Sequence, residues 1–87
     1  MDYLYKNGDI ETVIEITQRN VKQDVAKQFA ECRKARKLTQ AQVAERAQIP
    51  RSNITRFESG SYNPSVEMLV RVAEALDMQL NINLEEK

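Results

Sequence analysis

Between Pro50 and Gly60 the chain reads RSNITRFES, and almost all of its polar side chains are of one kind. Arg51, Ser52, Asn53, Thr55 and Arg56 all carry hydrogen-bond donors, and no acid appears until Glu58. Ile54 and Phe57, three residues apart, supply an apolar side, which predicts a short helix with that side in a core. A solvated helix face ordinarily mixes charges of both signs. A face of donors alone suits an acceptor-rich partner. The major groove of duplex DNA is such a partner: guanine O6 and N7 accept hydrogen bonds on its floor, and phosphates accept them along its walls and repel acids.

Other chemistries find little support. The chain has 87 residues, no histidine and one cysteine, Cys32. The commonest acid–base group is therefore missing, the usual zinc ligand sets cannot be assembled, and no internal disulfide can form. No nucleophile–base pair and no phosphate-cradling glycine loop is present, so no catalytic residue, metal or cofactor is expected and the chain reads as a non-enzyme. Cys32 lies on an apolar stripe and reads as a small core hydrophobe. Met68 and Met78 read as core filler. The Glu85–Glu86 pair reads as a solvated tail. No apolar run approaches a membrane span, and the first residues, with Asp2 and Asp9, do not resemble a secretory signal. A single domain, no membrane and a reducing cytoplasmic setting are the expectations.

The net charge is zero, yet the charges are segregated. Residues 19–56 hold ten basic and three acidic side chains, a net of +7, and the remainder carries −7. A polyanion-facing surface on a balanced body would show this asymmetry, and so would a solvated helix face.

Several elements are needed to position the donor face. Val21, Val25, Phe29 and Cys32 form one stripe of a helix that ends near Lys37, with Arg33, Lys34, Arg36 and Lys37 suiting the negative end of its dipole. Thr39 is the expected cap of a short helix through Ala47, with Val43, Ala44 and Ala47 inward. Pro50 fits only the start of the next helix, and Gly60 stops it. Ser65 caps a fourth helix whose stripe is Leu69, Val72, Ala73 and Leu76. From Met78 the period changes to two: Met78, Leu80, Ile82 and Leu84 alternate with amides, which predicts a strand. Before residue 20 two readings stand. Asn7–Gly8 between apolar runs is a hairpin signal, whereas Ile10, Val13, Ile14 and Thr17 favour a helix from about residue 10 capped by Asp9. Tyr3 and Tyr5 could stack on bases, although a packed or flexible terminus is the simpler reading.

Two short helices joined by a tight turn, the second apolar inside and donor-rich outside, make a helix-turn-helix. The run LTQAQVAERAQIPRSNITRFESGSYNPSVEMLVRVAEALDM resembles the lambda-repressor/Cro-type (XRE) helix-turn-helix family over about residues 22–78. The resemblance implies operator binding to double-stranded DNA by a homodimer. It places Arg51, Ser52 and Arg56 where the family reads bases. Gln40, Asn53, Ser59, Ser61 and Tyr62 fall where it grips phosphates, and Thr39 and Thr55 are taken with them. Arg33 and Glu58 match a pair that bridges two helices in many relatives. Two departures stand out: Gln48 replaces the usual glycine of the turn, and Pro50 replaces a Ser or Thr cap.

The fold class expected is mainly α, a lambda-repressor-like bundle over 21–77 with an N-terminal extension (1–20) and a C-terminal β-strand and tail (78–87). A lone strand needs a partner, and the same strand of a second copy would serve, making Met78, Leu80, Ile82 and Leu84 a dimer seam. The ending LDMQLNINLEEK looks like the HipB-like antitoxins. The function expected is a sequence-specific transcriptional repressor. The alternative is an antitoxin that binds a toxin protein, with the N-terminal extension as its arm, and autoregulates its operon.

Overall fold

The computed structural model describes residues 10–87. Its four helices are α1 (Ile10–Ala35), α2 (Gln40–Ala47), α3 (Arg51–Glu58) and α4 (Val66–Ala75). Two of them begin where the sequence places a cap. Thr39 Oγ1 accepts from the Gln42 amide at 3.1 Å, and Gln42 Oε1 accepts from the Thr39 amide at 2.8 Å, a reciprocal capping box. Ser65 Oγ accepts from the Met68 amide at 3.1 Å and opens α4. At the start of α3, Pro50 supplies no side-chain cap.

Three helices end by one device, and none of the three uses glycine. Lys37, Gln48 and Asp77 take left-handed conformations, with φ of 57°, 59° and 57°. The next amide then turns back to the carbonyl five residues earlier: Leu38 to Arg33 at 3.1 Å, Ile49 to Ala44 at 3.1 Å, and Met78 to Ala73 at 2.9 Å. The left-handed Lys37 ends α1 at Ala35, two residues short of the expected terminus. Leu38 and Ile49, the apolar residues that follow two of these turns, pack against the core.

That core is Val43, Ala44 and Ala47 of α2, Ile54 and Phe57 of α3, Met68, Val72 and Ala75 of α4, and Leu76. Val25, Phe29 and Cys32 of α1 lie over it, only partly buried. Phe29 meets Phe57 edge to face, with ring centroids 5.1 Å apart at 69°. Ala44 is buried in that core, as its inward position requires. Among the described residues no buried polar side-chain atom lacks a partner.

Three expectations need restating. First, α1 runs unbroken through residues 20 and 21, so the extension and the first bundle helix are one element from Ile10 onward. The Asn7–Gly8 hairpin signal, the Asp9 cap, Tyr3 and Tyr5 fall outside the described residues. Second, Met78 is not core filler, since it is 44% exposed, with Arg36 Nη2 3.0 Å from its sulfur.

Third, the C-terminal strand is not there: residues 78–87 form no strand among the described residues. Alternation alone does not make a strand, because the backbone amides need a ladder partner and none is set beside residues 78–84 among the described residues. Instead Asp77 turns the chain into a groove between α1 and α4, where Leu80 is half-buried beside Phe29, Cys32 and Leu76. Ile82 and Leu84 are 65% and 98% exposed, so the four apolar residues do not form one covered face.

Among the described residues no helix is long and apolar enough to cross a membrane, and no group of side chains could hold a metal ion.

Candidate nucleic-acid interface

The orientation of α3 follows from its two apolar residues. Ile54 and Phe57 are 1% and 2% exposed, pinned between α2 and Phe29 of α1. With that side fixed, Arg51, Ser52, Thr55 and Arg56 are exposed and Asn53 is half-buried. The outer face therefore carries the donors and no acid before Glu58.

Glu58 is the hub that ties this helix to the other two. It accepts from Arg33 Nε at 2.7 Å and Arg33 Nη2 at 3.0 Å, a two-pronged ion pair of low exposure, while Arg33 Nη1 donates to the Leu38 carbonyl at 2.8 Å. The hydrogen bond to Glu58 raises the Arg33 pKa above its ordinary value. Partial burial works against this shift, and the attraction of the carboxylate charge adds to it. Gln40 Nε2 also donates to Glu58, at 3.1 Å, and Thr55 Oγ1 donates to Gln40 Oε1 at 3.0 Å. The only acid of α3 is thereby neutralised inward, and the first residue of α2 is locked to the middle of α3.

The remaining candidates cluster around this hub with differing freedom. The Thr39 hydroxyl oxygen is used as the α2 cap and keeps its proton to donate. Gln40 and Thr55 are committed to the internal network, leaving one Nε2 hydrogen of Gln40 free. Arg56 Nη2 donates to Asn53 Oδ1 at 3.1 Å, and its guanidinium lies 5.4 Å from the centre of the Tyr62 ring. The Ser59 and Ser61 hydroxyls are 2.8 Å apart, and Ser59 Oγ donates to the Arg56 carbonyl at 2.6 Å. Arg51 and Ser52 have no side-chain hydrogen bond among the described residues, so their donors are available to a partner.

Two arginines do structural work that spacing did not reveal. Arg46 Nη1 donates to the Ala75 carbonyl at 3.3 Å, and Arg71 Nη1 to the Ala47 carbonyl at 3.4 Å. Each arginine satisfies a carbonyl at the C-terminal end of the other's helix. Their only trace in the sequence is an arginine on each of two helices whose mutual approach is not encoded locally.

A helix-turn-helix family model matches residues 29–83. The chain is 44% identical over 57 residues to a protein named immunity repressor protein from Bacillus phage phi105, covering 66% of this chain and 40% of that protein. It is 38% identical over 50 residues to the uncharacterized HTH-type transcriptional regulator YqaE of Bacillus subtilis (strain 168), covering 58% of this chain and 43% of that protein. The chain thus spans about two fifths of the length of these curated relatives. No solved structure matches with significance. Most of the chain, from Phe29 near the end of α1 through the α2–turn–α3 unit and α4, fits one pattern, and the protein belongs to the helix-turn-helix family of the lambda-repressor/Cro (XRE) type.

Proposed function

We propose that this chain is a DNA-binding transcriptional repressor that lays α3 in the major groove of a near-palindromic operator and acts in the cytoplasm as a homodimer. The observation that carries the reading is the outer face of α3, with Arg51, Ser52, Thr55 and Arg56 exposed while Ile54 and Phe57 are buried. Arg51, Ser52 and Arg56 are assigned to base edges. Thr39, Gln40, Asn53, Thr55, Ser59, Ser61 and Tyr62 are assigned to phosphates. The internal network refines these roles. Gln40 and Thr55 act mainly by fixing the angle between α2 and α3, and Tyr62 by steadying Arg56 through its ring. Relatives named as a repressor and as a transcriptional regulator support the same reading.

Selection of bound fragments from a pool of random duplex DNA tests it. The expected outcome is an enriched inverted repeat whose half-sites are about one helical turn apart, roughly 34 Å. A pool that returns no sequence preference would remove the assignment.

A further inference from the structure

The two arginines of α3 are not held alike. Thr55 Oγ1 donates to Gln40, so Thr55, and with it Arg51 one turn earlier, lie on the flank of α3 nearest α2. Arg56 and Asn53 lie on the other flank, beside the loop that follows the helix. There Arg56 Nη2 donates to Asn53 Oδ1 at 3.1 Å, and the guanidinium carbon lies 5.4 Å from the centre of the Tyr62 ring. Tyr62 is itself a fixed platform. It is half-buried and packs against the core, and the loop before it is tied by the 2.8 Å contact between the Ser59 and Ser61 hydroxyls. Arg51 is exposed and has no such support among the described residues.

Resting on the DNA-binding reading above, we infer that Asn53 and Tyr62 are positioning residues for Arg56 and make it the stricter of the two base readers, set for a guanine. A guanidinium has two edges that each offer a pair of donors to guanine O6 and N7. The two edges share Nη2, and each takes one of its hydrogens. Asn53 occupies one Nη2 hydrogen and so closes one edge. The other edge stays whole, and the Tyr62 ring fixes the plane in which it lies. An arginine held this way loses little side-chain freedom on binding. It meets the paired acceptors of a guanine, and it must leave both partners to reach the lone acceptor of an adenine or a thymine. Arg51 re-aims without that loss and so tolerates more bases.

Competition titrations test this, using an operator selected from random duplex DNA and changed at each position in turn. Arg51→Ala and Arg56→Ala identify the two base pairs by the preference that each removes. The wild type is expected to favour guanine at the Arg56 position by about tenfold or more over any other base, and to discriminate less at the Arg51 position. Tyr62→Leu keeps an apolar side chain against the core but loses the ring face. It and Asn53→Ala should each cut the guanine preference by about fivefold and leave the Arg51 position as it was. Tyr62→Phe, which keeps the ring face, should retain the preference. A merely structural Tyr62 would lower affinity at every position alike, and that result overturns the inference. So does a base other than guanine under Arg56, a stricter preference under Arg51, or a Tyr62→Phe variant as relaxed as Tyr62→Leu. In each of these cases the operator is still bound and the DNA-binding reading stands, whereas a pool that yields no operator sinks both.

Discussion

At the scale of single residues the decisive side chain is Glu58. It balances Arg33, orients Gln40 and, through Gln40, holds Thr55. Removing it would strand a guanidinium of low exposure that stays charged, because arginine keeps its proton in proteins. Glu58→Ala is therefore expected to lower the stability by about 2–3 kcal/mol in urea unfolding, against near zero for loss of the exposed Glu67–Arg71 pair. The donors of the outer face should behave otherwise. Under the proposed function, Arg51→Ala or Arg56→Ala costs about 1–3 kcal/mol of operator binding and relaxes preference at one base pair. Lys22 and Lys27 belong to the basic segment 19–56 and not to the outer face of α3, so Lys22→Ala and Lys27→Ala should weaken all sequences alike. Titrations in which Arg51→Ala and Arg56→Ala spare both operator and random DNA would refute the assignment of α3. The donor types were legible in the sequence because composition is a property of each residue. The Glu58–Gln40–Thr55 chain was not, because its members lie 18 and 15 positions apart and only packing brings them together.

Helix starts and helix ends differ in how far the sequence reveals them. Thr39 and Ser65 are caps because a hydroxyl reaches an amide three residues on, a local event that local sequence specifies. The ends at Lys37, Gln48 and Asp77 rest on left-handed backbone that none of these residues prefers, and tertiary docking of the following chain holds them there. Gln48 therefore carries strain that glycine would relieve. Gln48→Gly is expected to stabilise the protein by about 0.5–1 kcal/mol, the left-handed penalty of about 1–2 kcal/mol less the greater freedom of glycine in the unfolded chain. A fall in melting temperature would contradict it. Gly60 is the reverse case. Its φ is 82°, and an added Cβ would lie 3.1 Å from Gln23 Cγ, so Gly60→Ala should cost more than about 1 kcal/mol and loosen α3 from α1.

For the whole molecule the question is how a chain of zero net charge holds a polyanion. Under the proposed function affinity follows local charge, so binding should weaken steeply with salt, the log–log slope being roughly −0.9 per phosphate neutralised. The slope should nonetheless fall short of seven phosphates. Arg33 is paired with Glu58, and Arg46 is turned to the end of α4. A flat plot from low to moderate salt would mean that the basic residues form only a solvated face.

What the sequence determined by itself was whatever repeats at short range. The inward faces of α2, α3 and α4, two of the caps, the helix-turn-helix spacing and the acid-free outer face each depend on neighbours within a turn or two. Tertiary structure decided the rest. It made α1 one continuous rod, because nothing near residue 20 interrupts a helix that the bundle anchors only beyond Gln23. It brought Gln40 to Glu58, beside the Arg33–Glu58 pair that the family resemblance had already implied. It also turned the alternating tail away from a strand, because period-two hydrophobicity prepares a face but the hydrogen bonds of a strand must come from another one, and none lies beside it among the described residues.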